Sequence, residues 1–464
     1  MTHQYKNNGI NIIMDVNSGA VHVVDEVVYE VLPFVETILQ SMADQTVIDH
    51  AMLLQEIMAT GNLGYKEQEI QEAIEEIMEL RDAGMLFTED IYRTYIGEFQ
   101  KRETVVKALC LHIAHDCNLA CKYCFAEEGE YHGRRALMSF EVGKKALDFL
   151  VAHSGNRVNL EVDFFGGEPL MNWQVVKELV QYGRSLEEAH HKKFRFTLTT
   201  NGVLLNDEII EFANQEMSNI VLSIDGRPEV HNYMRPHRGG QGSYDEIVPK
   251  FQQVARSRNQ MNYYVRGTFT HHNLDFAEDV LHLADLGFKQ ISVEPVVADE
   301  TEEYALQESD IPKLLQEYDR LAVEMIKRYR EGKGFNFFHF MIDLEGGPCV
   351  AKRLSGCGSG TEYLAVTPWG DFYPCHQFVG QEEFLMGDVD RGIVHTAVRE
   401  EFKSCNVYAK EKCQQCFAKF YCSGGCAANA HHYSGSITDT YDRGCELQRK
   451  RIECAIMIKA ALAE

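Results

Sequence analysis

Residues 108–124 read ALCLHIAHDCNLACKYC, and the fold turns on this stretch. Its first half, Ala108 to Ala114, is an apolar run of strand length broken only by His112. Its second half sets Cys117, Cys121 and Cys124 in a CxxxCxxC loop directly after that strand. Three thiolates can hold three irons of a [4Fe-4S] cluster and leave the fourth iron without a protein ligand. The plain alternative is a zinc site or chance clustering. Further strands are expected at Val158 to Phe165, Phe194 to Thr200, Ile220 to Ile224, Tyr263 to Phe269 and Gln290 to Val296, with helical stretches such as Phe140 to Val151, Val175 to Ala189 and Phe276 to Leu286 between them. Six βα units imply an α/β fold with a parallel sheet and right-handed crossovers, open or closed into a partial (β/α)6 barrel. In both, chemistry gathers at the C-terminal ends of the strands.

The flanks read differently. Residues 1–95 form a separate unit, with an alternating strand (Ile10, Ile12, Met14, Val16), a turn at Asn17, Ser18 and Gly19, and a second strand through Val21 and Val23. A helix follows on Ile70, Ile74, Ile77 and Leu80, ended by Gly84 before a short final strand at Met85, Leu86 and Phe87. That order suggests a winged-helix-like module. The parallel unit spans 104–335 and closes with a helix around Ile311 to Tyr329; residues 340–450 are rich in Cys and Gly, as a metal-held region would be, and 451–464 continue a final helix from Leu447. The chain has 464 residues and a net charge of -25, which repels phosphate backbones and anionic membrane surfaces, so neither nucleic acid nor membrane is an expected partner. No apolar run approaches the ~20 residues of a membrane span and the start is polar, so the expected location is cytoplasmic. Fourteen cysteines in a reducing compartment point to metal ligands in preference to disulfides.

At Cys117, Cys121 and Cys124 the sequence resembles the radical S-adenosylmethionine (SAM) superfamily, with the aromatic residue before the last cysteine present as Tyr123. The resemblance is strengthened by Gly166, Gly167, Glu168 and Pro169 at the end of the second strand, which match the family's GGEP element and imply contact with the SAM amino group. It further implies SAM contacts from Ser223 and Asp225 near the ribose and from Arg266 at the carboxylate, with Thr199 and Asn201 lining the same pocket. Taken singly, each of these is equally well read as a residue that stabilises its loop.

Cys357, Gly370 with Cys375, then Cys413, Cys416, Cys422 and Cys426, and last Cys445 form an ordered set resembling the SPASM domain, which houses two auxiliary [4Fe-4S] clusters, three in all with the first. The family pattern implies Cys413, Cys416, Cys422 and Cys445 on the outer cluster and Cys357, Cys375 and Cys426 on the inner one. The fourth inner ligand is Cys349 or a substrate thiolate. Cys110 and Cys454 read as buried free thiols, and Cys405 has no assigned role. In sulfatase maturases an Asp base follows the cysteine at Cys375; here His376 stands there, and a histidine can also take a proton.

The N-terminal module resembles leader-binding domains of ribosomal-peptide modifying enzymes. With the stretch GGPCVAKRLSGCGSGTEYLAVTPWGDFYPCHQF, the chain looks like a SCIFF maturase of the ranthipeptide or sactipeptide type. That resemblance implies a Cys-rich precursor peptide with a leader as partner and a ferredoxin- or flavodoxin-type electron carrier. It implies cleavage of SAM to a 5′-deoxyadenosyl radical and a Cys-to-Thr thioether as product. The alternatives are formylglycine formation in a sulfatase and a non-catalytic, metal-bearing peptide-binding protein.

Overall fold

The computed structural model describes residues 1–463 apart from 43–48, 62, 132 and 345–349. Cys349 therefore lies outside the described residues. Strict alternation builds the central sheet: in Asn159–Gly166, Leu160, Val162 and Phe164 are buried, and in Lys193–Thr200 so are Phe194, Phe196 and Leu198. The six expected parallel strands form at Ala108–His115, Asn159–Gly166, Lys193–Thr200, Met217–Ser223, Tyr263–Phe269 and Gln290–Pro295. They pair in chain order, each beside its predecessor, so the sheet has no point at which its winding reverses. Helices Phe140–His153, Trp173–His190, Asp207–Glu216, Tyr244–Ser257, Phe276–Asp285 and Ile311–Arg330 bury their apolar stripes with the apolar side chains of the sheet.

The Cys-rich region adds to this sheet. Tyr363–Val366 pairs parallel with the first strand, with Leu364 opposite Leu109, and Asp371–Tyr373 pairs antiparallel with Tyr363–Val366. The remainder of that region is made of short pieces, including helices of four residues at Glu411–Gln414 and Lys419–Cys422. A long helix, Asp442–Leu462, packs against Ile311–Arg330.

The N-terminal region departs from the expected order. Three antiparallel strands, β1 (Thr2–Asn7), β2 (Ile10–Asp15) and β3 (Val21–Val24), precede helices α1 (Glu26–Ser41), α2 (His50–Thr60) and α3 (Glu67–Asp82). β1 follows from the Asn8-Gly9 turn, where both residues have positive φ (51° and 77°), as a two-residue hairpin requires. The strand expected at Met85 to Phe87 does not form. Gly84 and Met85 donate back to Arg81 and Leu80 to cap α3, and Phe87 has φ 56°, outside the extended region. β1 is anchored on the long terminal helix, where Tyr5 donates to the Glu453 carbonyl at 2.9 Å, and on the Cys-rich region, where His3 stacks on Phe417 with ring centroids 3.5 Å apart. β3 is the outer strand at the other side of this sheet.

Candidate active site

The three-cysteine loop is fixed by backbone contacts. Ala120 and Lys122 donate to the carbonyls of Pro236 and Met234, and Cys124 donates to the Cys121 carbonyl at 3.1 Å. The second strand closes on the loop's start: Gly167 donates to Ala114 at 2.7 Å and Glu168 to Asp116 at 2.9 Å. A Cβ on Gly167 would lie 2.1 Å from the Asp116 carbonyl oxygen, and one on Gly166 2.4 Å from that of Ala114. Only glycine permits that approach. The three thiols are half-buried neighbours; burial pushes Cys121 up to about 11 and Cys117 up to about 12.

Glu168 is fully buried and already bonded. Its carboxylate accepts from Leu170 N–H at 3.0 Å, Thr200 Oγ1 at 2.9 Å and Asn201 N–H at 2.8 Å, tying the second strand's end to the third's. Asn201 Nδ2 in turn donates to Asn118 Oδ1 at 2.7 Å and lies 3.7 Å from Cys117 Sγ. Tyr123 donates to Asp225 at 2.8 Å and accepts from Arg235 at 2.8 Å. Asp225 also accepts from Thr268 N–H, and burial raises its carboxyl to about 6. Ser223 lies in register with Arg266 on the neighbouring strand.

A cavity of about 640 Å³ lies beside the loop. Tyr123, Thr199, Arg266 and His376 line one part of it; Cys422, Cys426 and Cys445 line another. The cavity thus joins the first loop to the C-terminal array. Arg266 is paired with Glu294 at 3.1 Å. Burial works upward on Glu294, but Arg266, His339 and Arg451 outweigh it and hold the carboxyl at about 2. His376 packs against Phe165 and Phe125, with ring centroids 5.0 and 5.6 Å away; burial, then Arg266, lowers it to about 4.

The array falls into two electrostatic groups. Besides burial, Cys422 is raised by Cys445, Cys413 and Cys416, and Cys375 by Cys426 and Cys357. Cys405 lies near Cys357 and Cys426, but its thiol donates to the Ile437 carbonyl at 3.1 Å. Cys110 and Cys454 are buried. Among the described residues no three His, Cys, Asp or Glu side chains converge as one metal ion would require. A cubane cluster binds each thiolate at a different iron, so its sulfurs stand apart by the width of the cluster, and the donor set of soft thiolates suits iron and sulfide.

A family profile described as a 4Fe-4S single cluster domain matches residues 106–249. The radical SAM cyclopropyl synthase TigE of Paramaledivibacter caminithermalis is 20% identical over 373 residues, covering 74% of this chain and 72% of that protein. A cysteine-type anaerobic sulfatase-maturating enzyme of Clostridium novyi is 23% identical over 332 residues, 68% of this chain and 86% of its own length. Among solved structures, anSMEcpe with bound AdoMet superposes with a TM-score of 0.66 at 19% identity, over 77% of this chain and 95% of that one. Streptococcus suis SuiB bound to precursor peptide SuiA gives a TM-score of 0.52 at 15% identity, over 94% of this chain and 97% of that one. The chain has the fold of anSMEcpe and SuiB.

Three polar residues of the sheet that line the cavity went unread in the sequence. Asp163, Glu294 and Thr268 line the cavity from the second, sixth and fifth strands. Burial, then Glu161, raises Asp163 to about 6. Their signal was present: each is the polar member of an alternating strand, and Glu294 stands near the C-terminal end of the sixth.

Proposed function

We propose that this chain is a radical SAM enzyme that forms Cys-to-Thr thioether links in a ribosomally made, Cys-rich precursor peptide. The observation that carries this reading is the continuous cavity between the first loop and the C-terminal array, because a peptide segment bound there would face both. With a cluster on Cys117, Cys121 and Cys124 and SAM bound, the cofactors supply a carbon-centred radical. The chain's own residues act on SAM and substrate. Arg266, held by Glu294, is placed to meet the SAM carboxylate, and the neutral His376 imidazole beside the array is a proton acceptor for a substrate thiol. The rings of Phe125 and Phe165 hold the His376 imidazole in place against the cavity wall.

In this reading residues 1–95 are a winged-helix-like leader-binding unit. β3 is an outer strand whose Val23 is 56% exposed, a suitable edge for an extended leader to join by β-augmentation. The SPASM reading of the array places Cys413, Cys416, Cys422 and Cys445 on one auxiliary cluster and Cys357, Cys375 and Cys426 on the other, completed by Cys349 or by the substrate's own sulfur. A precursor peptide is also the partner of SuiB, which parallels nearly the whole chain.

The test is to incubate reconstituted enzyme with SAM, dithionite and a short Cys- and Thr-containing precursor peptide. Each thioether removes two hydrogens and one free thiol. A hydrazine-reactive aldehyde would instead identify formylglycine formation, the activity class of the sulfatase-maturating relatives. Intact SAM after full cluster loading would leave only a binding role.

A further inference from the structure

Lys410 is 2% exposed and sits between the two thiol groups of the C-terminal array. Its carbonyl accepts from the Cys413 N–H at 3.0 Å, which fixes it beside one group. Its side chain runs along Gly424, between Cys422 and Cys426: a Cβ on that glycine would lie 3.5 Å from Lys410 Cδ and 3.6 Å from Cε. The same side chain borders a small cleft that Cys357 and Cys405 also line. Lys410 thus touches the surroundings of both groups.

The ammonium ends on a carbonyl. Nζ donates to Asp439 O at 2.9 Å, and among the described residues no carboxylate pairs with it. The contrast is Lys419, also buried at 3% exposure, which holds Asp90 at 2.7 Å. A buried cation with no counter-ion is costly, since desolvation of an ammonium is offset only by a nearby negative charge and good hydrogen bonds. What Lys410 does border is the array's sulfur: its carbonyl is bonded to Cys413 N–H, and Cys357 and Cys405 line the same cleft.

We infer that Lys410 is the counter-charge shared by the two auxiliary clusters, a positioning residue that stabilises their reduced, more negative states and so raises their reduction potentials. The inference rests on the two-cluster reading of the array. A cluster's potential follows its net charge, hydrogen bonds and exposure, and a fixed cation in a dry site acts on the first of these. Lys410 serves both clusters from one position, so its removal lowers both potentials together.

The experiment is an anaerobic redox titration of reconstituted full-length protein, followed by electron paramagnetic resonance, with iron and sulfide counted in each sample. Lys410→Met keeps the aliphatic length, and Lys410→Arg keeps the charge. In a fully loaded Lys410→Met protein the reduction equilibrium of both auxiliary clusters falls about tenfold, which is ~59 mV for a one-electron couple, while the SAM-site cluster holds its value. Lys410→Arg stays near wild type. If Lys410→Met instead loads too little iron at the array while Lys410→Arg loads fully, the need for the charge is equally shown. Unchanged potentials in fully loaded Lys410→Met overturn the inference, and so does under-loading of both variants, which would make Lys410 a packing residue. Wild-type protein that saturates with iron for fewer than three clusters would sink the two-cluster reading of the array, a separate failure seen before any variant is made.

Discussion

The two cysteine regions are held in opposite ways. The loop of Cys117, Cys121 and Cys124 hangs from the rigid parallel sheet, with its ends locked by Gly167, Glu168 and the carbonyls of Met234 and Pro236. Of the array, Cys413 and Cys422 stand on helices of four residues beside a left-handed run at Ser423, Gly424 and Gly425, Cys357 and Cys426 are exposed, and Cys445 alone sits on a long helix. The difference teaches where iron is needed for shape. Backbone bonds to strands keep the first site in place with or without a cluster, whereas the second region has few long elements to hold it and relies on metal–thiolate bonds.

The largest expected effect exploits that contrast. Stripping iron with a strong chelator under reducing conditions should raise amide exchange across 405–434 by several orders of magnitude and leave Ala108–His115 and its neighbour Tyr363–Val366 within roughly tenfold of their starting values. Equal loosening of both regions, read by hydrogen-exchange mass spectrometry, would erase the distinction. A smaller effect tests the join between the N-terminal unit and the array. Asp90 accepts from Lys419 at 2.7 Å and from Tyr408 at 2.6 Å, so Asp90→Ala strands a buried ammonium and should cost about 3–5 kcal/mol in urea unfolding of the iron-loaded protein. Pairing it with Lys419→Met should restore most of that loss; a double variant no better than the single one would mean that the ion pair is not what joins the two regions.

The smallest effect lies on the sheet's inward face. Asp163 is held at about 6 in the folded protein, above the ~4 of an unfolded chain, so the folded state binds its proton more tightly. Its contribution is complete below about pH 4 and is lost as pH rises through about 6, up to ~3 kcal/mol in total. Asp163→Asn should therefore flatten the decline of stability across that window. A decline of unchanged slope would place the titrating group elsewhere.

How much of this was legible follows from what each feature depends on. The parallel strands and their helices were readable because apolar periodicity is local: Leu160, Val162 and Phe164 announce a buried face without reference to any partner. β1 was readable too, through Asn8-Gly9, but its polar residues masked it, since burial of Tyr5 is set by a helix more than 400 residues away. The false strand at Met85 to Phe87 shows the reverse error, an apolar triplet whose conformation is fixed by the helix cap before it. Cysteine spacing exposed the thiol sets, whereas Asp163 and Glu294 were overlooked because polar residues on an alternating strand are ordinarily read as facing solvent. Here that face lines the cavity. The pairing of Tyr363–Val366 with the first strand was not legible, as no local pattern names a partner so distant.

That last pairing has a bearing on how the chain is made. The edge of residues 108–111 is completed only by residues 363–366, roughly 250 residues later, which at ~5–20 residues per second leaves that nascent edge uncovered for tens of seconds. An apolar strand open for so long is a template for unwanted pairing, so the yield of native protein should depend on growth temperature and on holdase chaperones far more than its final stability would imply.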